Sequence, residues 1–207
     1  MDANGRIGGM ALIGAGAGTV LAMAHHPTGA HGAGLLGPGV HAAMIVLLAL
    51  TAFGFATFCA LRGPARPLIL AGLVAYALAL LGHVGAGTIN GFVVTALAAR
   101  DPLPGHDVFL LAWEANQALA KLGVLAASAA FVFWSLDFLR GADGTAKAVG
   151  ALGLAAGIVP PALLLTGVID MDVTGALIVY AIQAAWGALV GFHLVRGSPG
   201  TPRAEAS

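Results

Sequence analysis

The stretch VFLLAWEANQALAKLGVLAASAAFVFWSLD, residues Val108 to Asp137, decides what kind of chain this is. A helix crosses a bilayer with about 20 apolar residues at about 1.5 Å each, and this run is long enough. Yet it carries Glu114, Asn116, Gln117 and Lys121. A charge at the bilayer centre costs at least about 2.5–3.5 kcal/mol, so Glu114 and Lys121 are expected to face a protein interior or water rather than lipid.

The composition agrees with a membrane chain. Of 207 residues, 59% are hydrophobic and only 9% are charged. A soluble domain carries about 25% charged residues, so this chain has too few to cover a water-facing surface. Its formal net charge is zero, without the basic stripe that nucleic-acid binding needs. The single cysteine, Cys59, excludes an internal disulfide, and there is no Cys-x-x-Cys or Cys-x-x-Cys-His. Gly14-Ala15-Gly16-Ala17-Gly18-Thr19 imitates a dinucleotide fingerprint but lacks the third glycine and a preceding strand. No P-loop, His-Glu-x-x-His or Gly-x-Ser-x-Gly is present, so no catalytic residue is assigned and an enzyme is not the expectation.

Working outward, apolar runs separated by turn residues predict six spans, at about 7–24, 41–61, 68–99, 108–139, 148–169 and 173–195. A polar tail occupies 197–207, and the whole chain reads as one membrane domain. The expected fold is an all-α, six-transmembrane-helix bundle. Six crossings put both termini on one side. Arg6, Arg62, Arg66, Arg140, Lys147, Arg196 and Arg203 fall on that side and Arg100 alone on the other. The positive-inside rule makes that side cytoplasmic, in what is expected to be a bacterial inner (plasma) membrane.

Spans three and four are longer than the roughly 30 Å hydrocarbon core, so they must tilt, project or break. Gly82-His83-Val84-Gly85-Ala86-Gly87 is the expected break, and Pro160-Pro161 is expected to kink span five. Gly14-x-x-x-Gly18, Gly87-x-x-x-Gly91, Gly153-x-x-x-Gly157 and Gly187-x-x-x-Gly191 are candidate helix-packing faces.

On span four, Glu114, Gln117 and Lys121 share one helical face, with Asn116 rotated away. Counted from the outer boundary, Glu114 lies about 10 Å deep and Lys121 about 20 Å. On the antiparallel third span Asn90 lies about 15 Å deep and His83 about 25 Å. The expectation is that Asn90 meets Glu114 or Gln117 and that His83 approaches Lys121. Such groups at graded depths suit a proton relay or a polar-substrate pocket. The structural alternative has Glu114 reaching headgroups and Lys121 snorkelling.

His25, His26, His31, His41 and His106 map to the outer face with Asp101, Asp107, Asp170 and Asp172. If the first two helices pair, His25 or His26 would approach His41, a set able to hold copper or zinc or to ligate haem b. His193 is expected near the cytoplasmic end. Ala22-Met23-Ala24 matches an A-x-A cleavage pattern that would make His25 an N-terminus. Trp113, Trp134 and Tyr180 suit interfacial belts or helix packing, and Trp186 a core position.

Three functional expectations follow. The first is a small permease-like or substrate- and proton-handling protein using Glu114, Lys121, His83, Asn90 and Gln117. The second is a metal- or haem-binding component using His25, His26 and His41. The third is a non-catalytic subunit or assembly factor of a membrane complex. The expected partners are the lipid bilayer, a small molecule or ion, and a membrane protein or second copy, with no nucleic acid.

Overall fold

The computed structural model describes residues 3–26 and 36–197; His31, Arg203 and the tail beyond Gly197 lie outside them. The described residues form six helices long and apolar enough to cross a membrane, with no strand among them. They are α1 (Ala3–Ala24), α2 (Leu36–Arg62), α3 (Pro67–Ala98), α4 (His106–Leu139), α5 (Gly144–Leu165) and α6 (Val173–Arg196). Local chemistry sets several ends. Pro67 opens α3, where its missing N–H costs nothing. Asp143 caps α5 by accepting from Thr145 N at 3.2 Å and Ala146 N at 3.1 Å. Asp172 caps α6, accepting from Gly175 N at 2.8 Å.

One expectation about helix interiors needs correction. α3 does not break at Gly82–Gly87; its irregularity is a single wide π turn at Ile89–Val93, one turn further on. The π turn absorbs an extra residue without ending the helix. α5 runs unbroken through Pro160-Pro161.

Lipid tails are as apolar as leucine, so the helices need close backbone approach rather than hydrophobicity to associate. α4 is the axis of the bundle, with 61% of its apolar stretch buried against 22–39% for the other five. It packs chiefly on α3 and α5, while α1 packs on α6 and α2. Gly82 gives α3 its approach to α4: a Cβ there would lie 2.6 Å from Gly123 N. Gly191 does the same for α6 against α1, where a Cβ would lie 2.6 Å from Gly9 O. Of the expected glycine faces, Gly14 looks onto open space, and Gly153 receives the Trp186 indole rather than a helix backbone.

One end of the bundle is filled. Phe55, Phe58, Phe131, Trp134, Phe138 and Trp186 form a slab in which Phe131 and Trp186 have ring centroids 4.4 Å apart and Phe55 and Trp134 4.9 Å apart. Trp134 is therefore core and not a belt residue. Both indoles find carbonyls on neighbouring helices: Trp134 Nε1 donates to Ile69 O at 3.2 Å and Trp186 Nε1 to Val149 O at 3.0 Å.

Beyond the slab sits an ion clasp. Asp137, 1% exposed, accepts at Oδ2 from Arg62 Nε at 2.9 Å and Nη2 at 2.6 Å, and Arg66 Nη2 lies 2.6 Å from Oδ1. The Arg62 guanidinium also lies 4.9 Å from the Phe138 ring centroid. The clasp ties the α2–α3 connection to the last turns of α4. We refer to this as the clasp end and to the opposite end as the histidine end.

Asp137→Ala is expected to cost about 3 kcal/mol, since it removes the acceptor shared by two arginines and leaves the mostly buried Arg62 without its counter-charge. Arg66→Ala, on a half-exposed side chain, is expected to cost under about 1 kcal/mol. Gly82→Ala should destabilise by about 1–3 kcal/mol through overpacking, whereas Gly14→Ala should be neutral or slightly stabilising. Reversible unfolding of the purified variants in mixed detergent micelles checks all four.

Candidate functional site: two stacked chambers

Above the aromatic slab the helices enclose space. A chamber of about 200 Å³ opens between α1, α2, α3, α4 and α6 at the histidine end. A second, of about 60 Å³, lies beneath it and reaches down to Phe55 and Phe131. Thr19, Leu48, His83 and Tyr180 border both, so they form the septum between the two. Across it Tyr180 OH and His83 Nδ1 are 3.2 Å apart, a hydrogen bond whose direction depends on the imidazole tautomer.

The upper chamber is lined by polar side chains that local structure delivers. Asn90 projects from the wide turn of α3. Asn116 faces it from α4 and donates from Nδ2 to Ala86 O at 2.8 Å, beside the place where the regular α3 ladder gives way to the wide turn. A π turn disturbs i→i−4 pairing, and the amide supplies a donor there. His83 is buried in the α3–α4 contact, where Gly123 leaves room for its ring. In the lower chamber Gln183 Nε2 is buried without a hydrogen-bond partner among the described residues.

The expected polar face of α4 is rotated. Trp113, Asn116 and Ala120 line the upper chamber. Glu114, Gln117 and Lys121 lie one residue round, about 100° of helix rotation. Glu114 is exposed and borders neither chamber. α4 has 34 residues and is about 51 Å long, so part of it stands outside a core of about 30 Å, and Glu114 is only two turns from its start. Lys121 turns to Asp170, with Nζ 3.4 Å from Oδ1; Lys121 is half-buried and Asp170 exposed. Gln117 is buried and donates from Nε2 to Met171 O at 2.9 Å, tying α4 to the segment before α6. Thus His83, Asn90 and Asn116 share one chamber, and Glu114, Gln117 and Lys121 are outside it.

The histidines divide in the same way. His25 Nδ1 lies 2.9 Å from Leu21 O on an exposed turn, and His106 is exposed at the start of α4. His26 and His41 both line the upper chamber, with their Nε2 atoms 3.3 Å apart. His41 is buried, and its Nδ1 lies 2.8 Å from Gly37 O. Among the described residues no three of His, Cys, Asp and Glu converge as a metal cluster. His193 sits against Phe138 at the clasp end, with ring centroids 5.3 Å apart.

Imidazoles, carboxamides and a phenol give the chambers donors and acceptors of both senses. Among the described residues no lysine or arginine lines either chamber. The one carboxylate among the described lining residues, Asp172, is engaged as the α6 cap. The arrangement suits a small neutral polar molecule or a cation and brings no permanently charged cation to meet an anion.

Asn116→Leu is expected to cost about 1–3 kcal/mol, because Ala86 O loses its side-chain donor, and Tyr180→Phe about 1 kcal/mol. Unfolding midpoints in detergent, with His83 followed by imidazole NMR resonances, check both. Comparison with protein-family models, curated proteins and solved structures finds no match.

Proposed function

We propose that this chain is a permease-like membrane protein that admits a small polar ligand or cation into the upper chamber and passes it across the His83–Tyr180 septum. The observation that supports this reading is the stacking of two chambers, mostly apolar in their lining, into which a few imidazole, amide and phenol groups project. Ionisable and amide side chains are expensive within a membrane and persist where they line a path or site. In this reading Asn90 and Asn116 orient the ligand. His83 and Tyr180 form the gate, their hydrogen bond breaking as Tyr180 swings aside. Glu114 and Lys121 stand at the approach rather than in the site.

The clasp end is assigned to the cytoplasm, with both termini, in a bacterial plasma membrane. Arg6, Arg62, Arg66, Arg140, Lys147 and Arg196 cluster toward that end, whereas Arg100 lies between α3 and α4 at the other. The upper chamber then opens outward.

Cysteine accessibility tests this in a Cys59→Ala background reconstituted in oriented vesicles. Asn116→Cys is expected to react with a membrane-impermeant thiol reagent added at the histidine end, and the buried Val124→Cys to stay unreactive. Gln183→Cys is expected to react from both sides in turn as the septum opens. An inert Asn116→Cys would remove the hydrated chamber, and Gln183→Cys reacting only from the histidine end would remove the carrier step.

A further inference from the structure

The His26–His41 pair has the geometry of two ligands to one metal ion. With metal–imidazole bonds of about 2.0–2.1 Å and a tetrahedral angle, two ligand nitrogens lie about 3.3–3.4 Å apart and their ring centroids about 5 Å apart. The observed values are 3.3 Å and 4.9 Å, with the rings inclined at 82°. A straight N–H···N bond of the same length would hold the centroids about 5.6 Å apart. Two axial ligands on opposite faces of a haem would need nitrogens about 4 Å apart, so this pair does not suit haem.

Two further features prepare His41. Its Nδ1 lies 2.8 Å from Gly37 O, an acceptor, so the proton is on Nδ1 and the Nε2 lone pair is left for a ligand. Gly91, in the wide turn of α3, has no Cβ where one would overlap the His41 ring. The backbone is thus shaped around that imidazole.

We propose that His26 Nε2 and His41 Nε2 bind copper(I) in the upper chamber, with thioether sulfur completing the coordination. Met23, Met44 and Met171 line the same chamber. Thioether is a soft ligand that selects copper(I), whereas protein zinc sites take three or four nitrogen, thiolate or carboxylate donors. Among the described residues no third His, Cys, Asp or Glu joins the pair, so zinc is under-supplied. This deepens the permease reading, since copper(I) would be a cation held in the chamber proposed to receive one.

The test uses the full chain in detergent, titrated anaerobically with copper(I) against a chromophoric copper(I) chelator, and with zinc(II) separately. Wild type is expected to take one equivalent of copper(I), with imidazole and sulfur scattering in its X-ray absorption spectrum. His26→Ala and His41→Ala are each expected to weaken binding by about 100-fold or more, since even loss of an outer hydrogen bond to a metal-bound histidine costs about 10–100-fold. Met44→Leu should remove sulfur scattering or reduce it, and His106→Ala should bind like wild type. The spectrum of the wild-type protein needs no variant to fold. No uptake, bound copper without imidazole scattering, or zinc held more tightly than copper(I) would each overturn the proposal. No copper uptake alongside a reactive Asn116→Cys would remove the metal and leave the chamber. An inert Asn116→Cys would remove both.

Discussion

Association without a hydrophobic driving force is the constraint under which this bundle is built. Six apolar helices in lipid gain nothing by merely touching, so contact depends on backbones that come close and on polar groups that meet. Gly82 against Gly123 and Gly9 against Gly191 provide the first. Asp137 between Arg62 and Arg66, and the two indole N–H groups on backbone carbonyls, provide the second. Most of these contacts involve α4 or the helices beside it, which makes α4 the post around which the others stand.

The same constraint divides the molecule into two unlike ends. At the clasp end large rings fill the space, and Asp137 meets its arginines at short range. At the histidine end smaller side chains leave volume, and amide, imidazole and phenol groups turn into it. Asn116 belongs to both worlds. Its donor mends the disturbed α3 ladder at Ala86, and its position on the chamber wall leaves the rest of the amide for a guest.

Much of the fold was legible in the amino-acid sequence, because hydropathy registers directly whether a segment can cross a membrane. All six spans appear within about five residues of their expected ends. Helix rotation was less legible. It depends on which neighbour lies on which side, and a one-residue difference moved the inward stripe from Glu114, Gln117 and Lys121 to Trp113, Asn116 and Ala120. Asp137 lies inside the expected fourth span, and no pattern near it in the chain marks it as a buried, paired acid. Its partners are 75 positions earlier in the case of Arg62, a pairing no local pattern carries. The wide turn was misplaced because Gly82–Gly87 looked weak. Gly82 and Gly85 admit α4, and the helix yields instead beside Asn90. The approach of His26 to His41 was legible as soon as α1 and α2 were paired. The methionines of the same chamber drew no notice, being ordinary in an apolar helix.

The aromatic slab has an electrical consequence. If the chambers above it fill with water, the outer solution in effect extends down to Phe55 and Phe131, and the insulating layer shrinks to the rings and the helix ends below them. A membrane potential then falls mostly across that thinner layer, where moving one elementary charge is worth about 2.3 kcal/mol per 100 mV. A cation resting beside His83 would already have been drawn in at little electrical gain, and nearly all the voltage-derived work would be released in its passage past the stacked tryptophans.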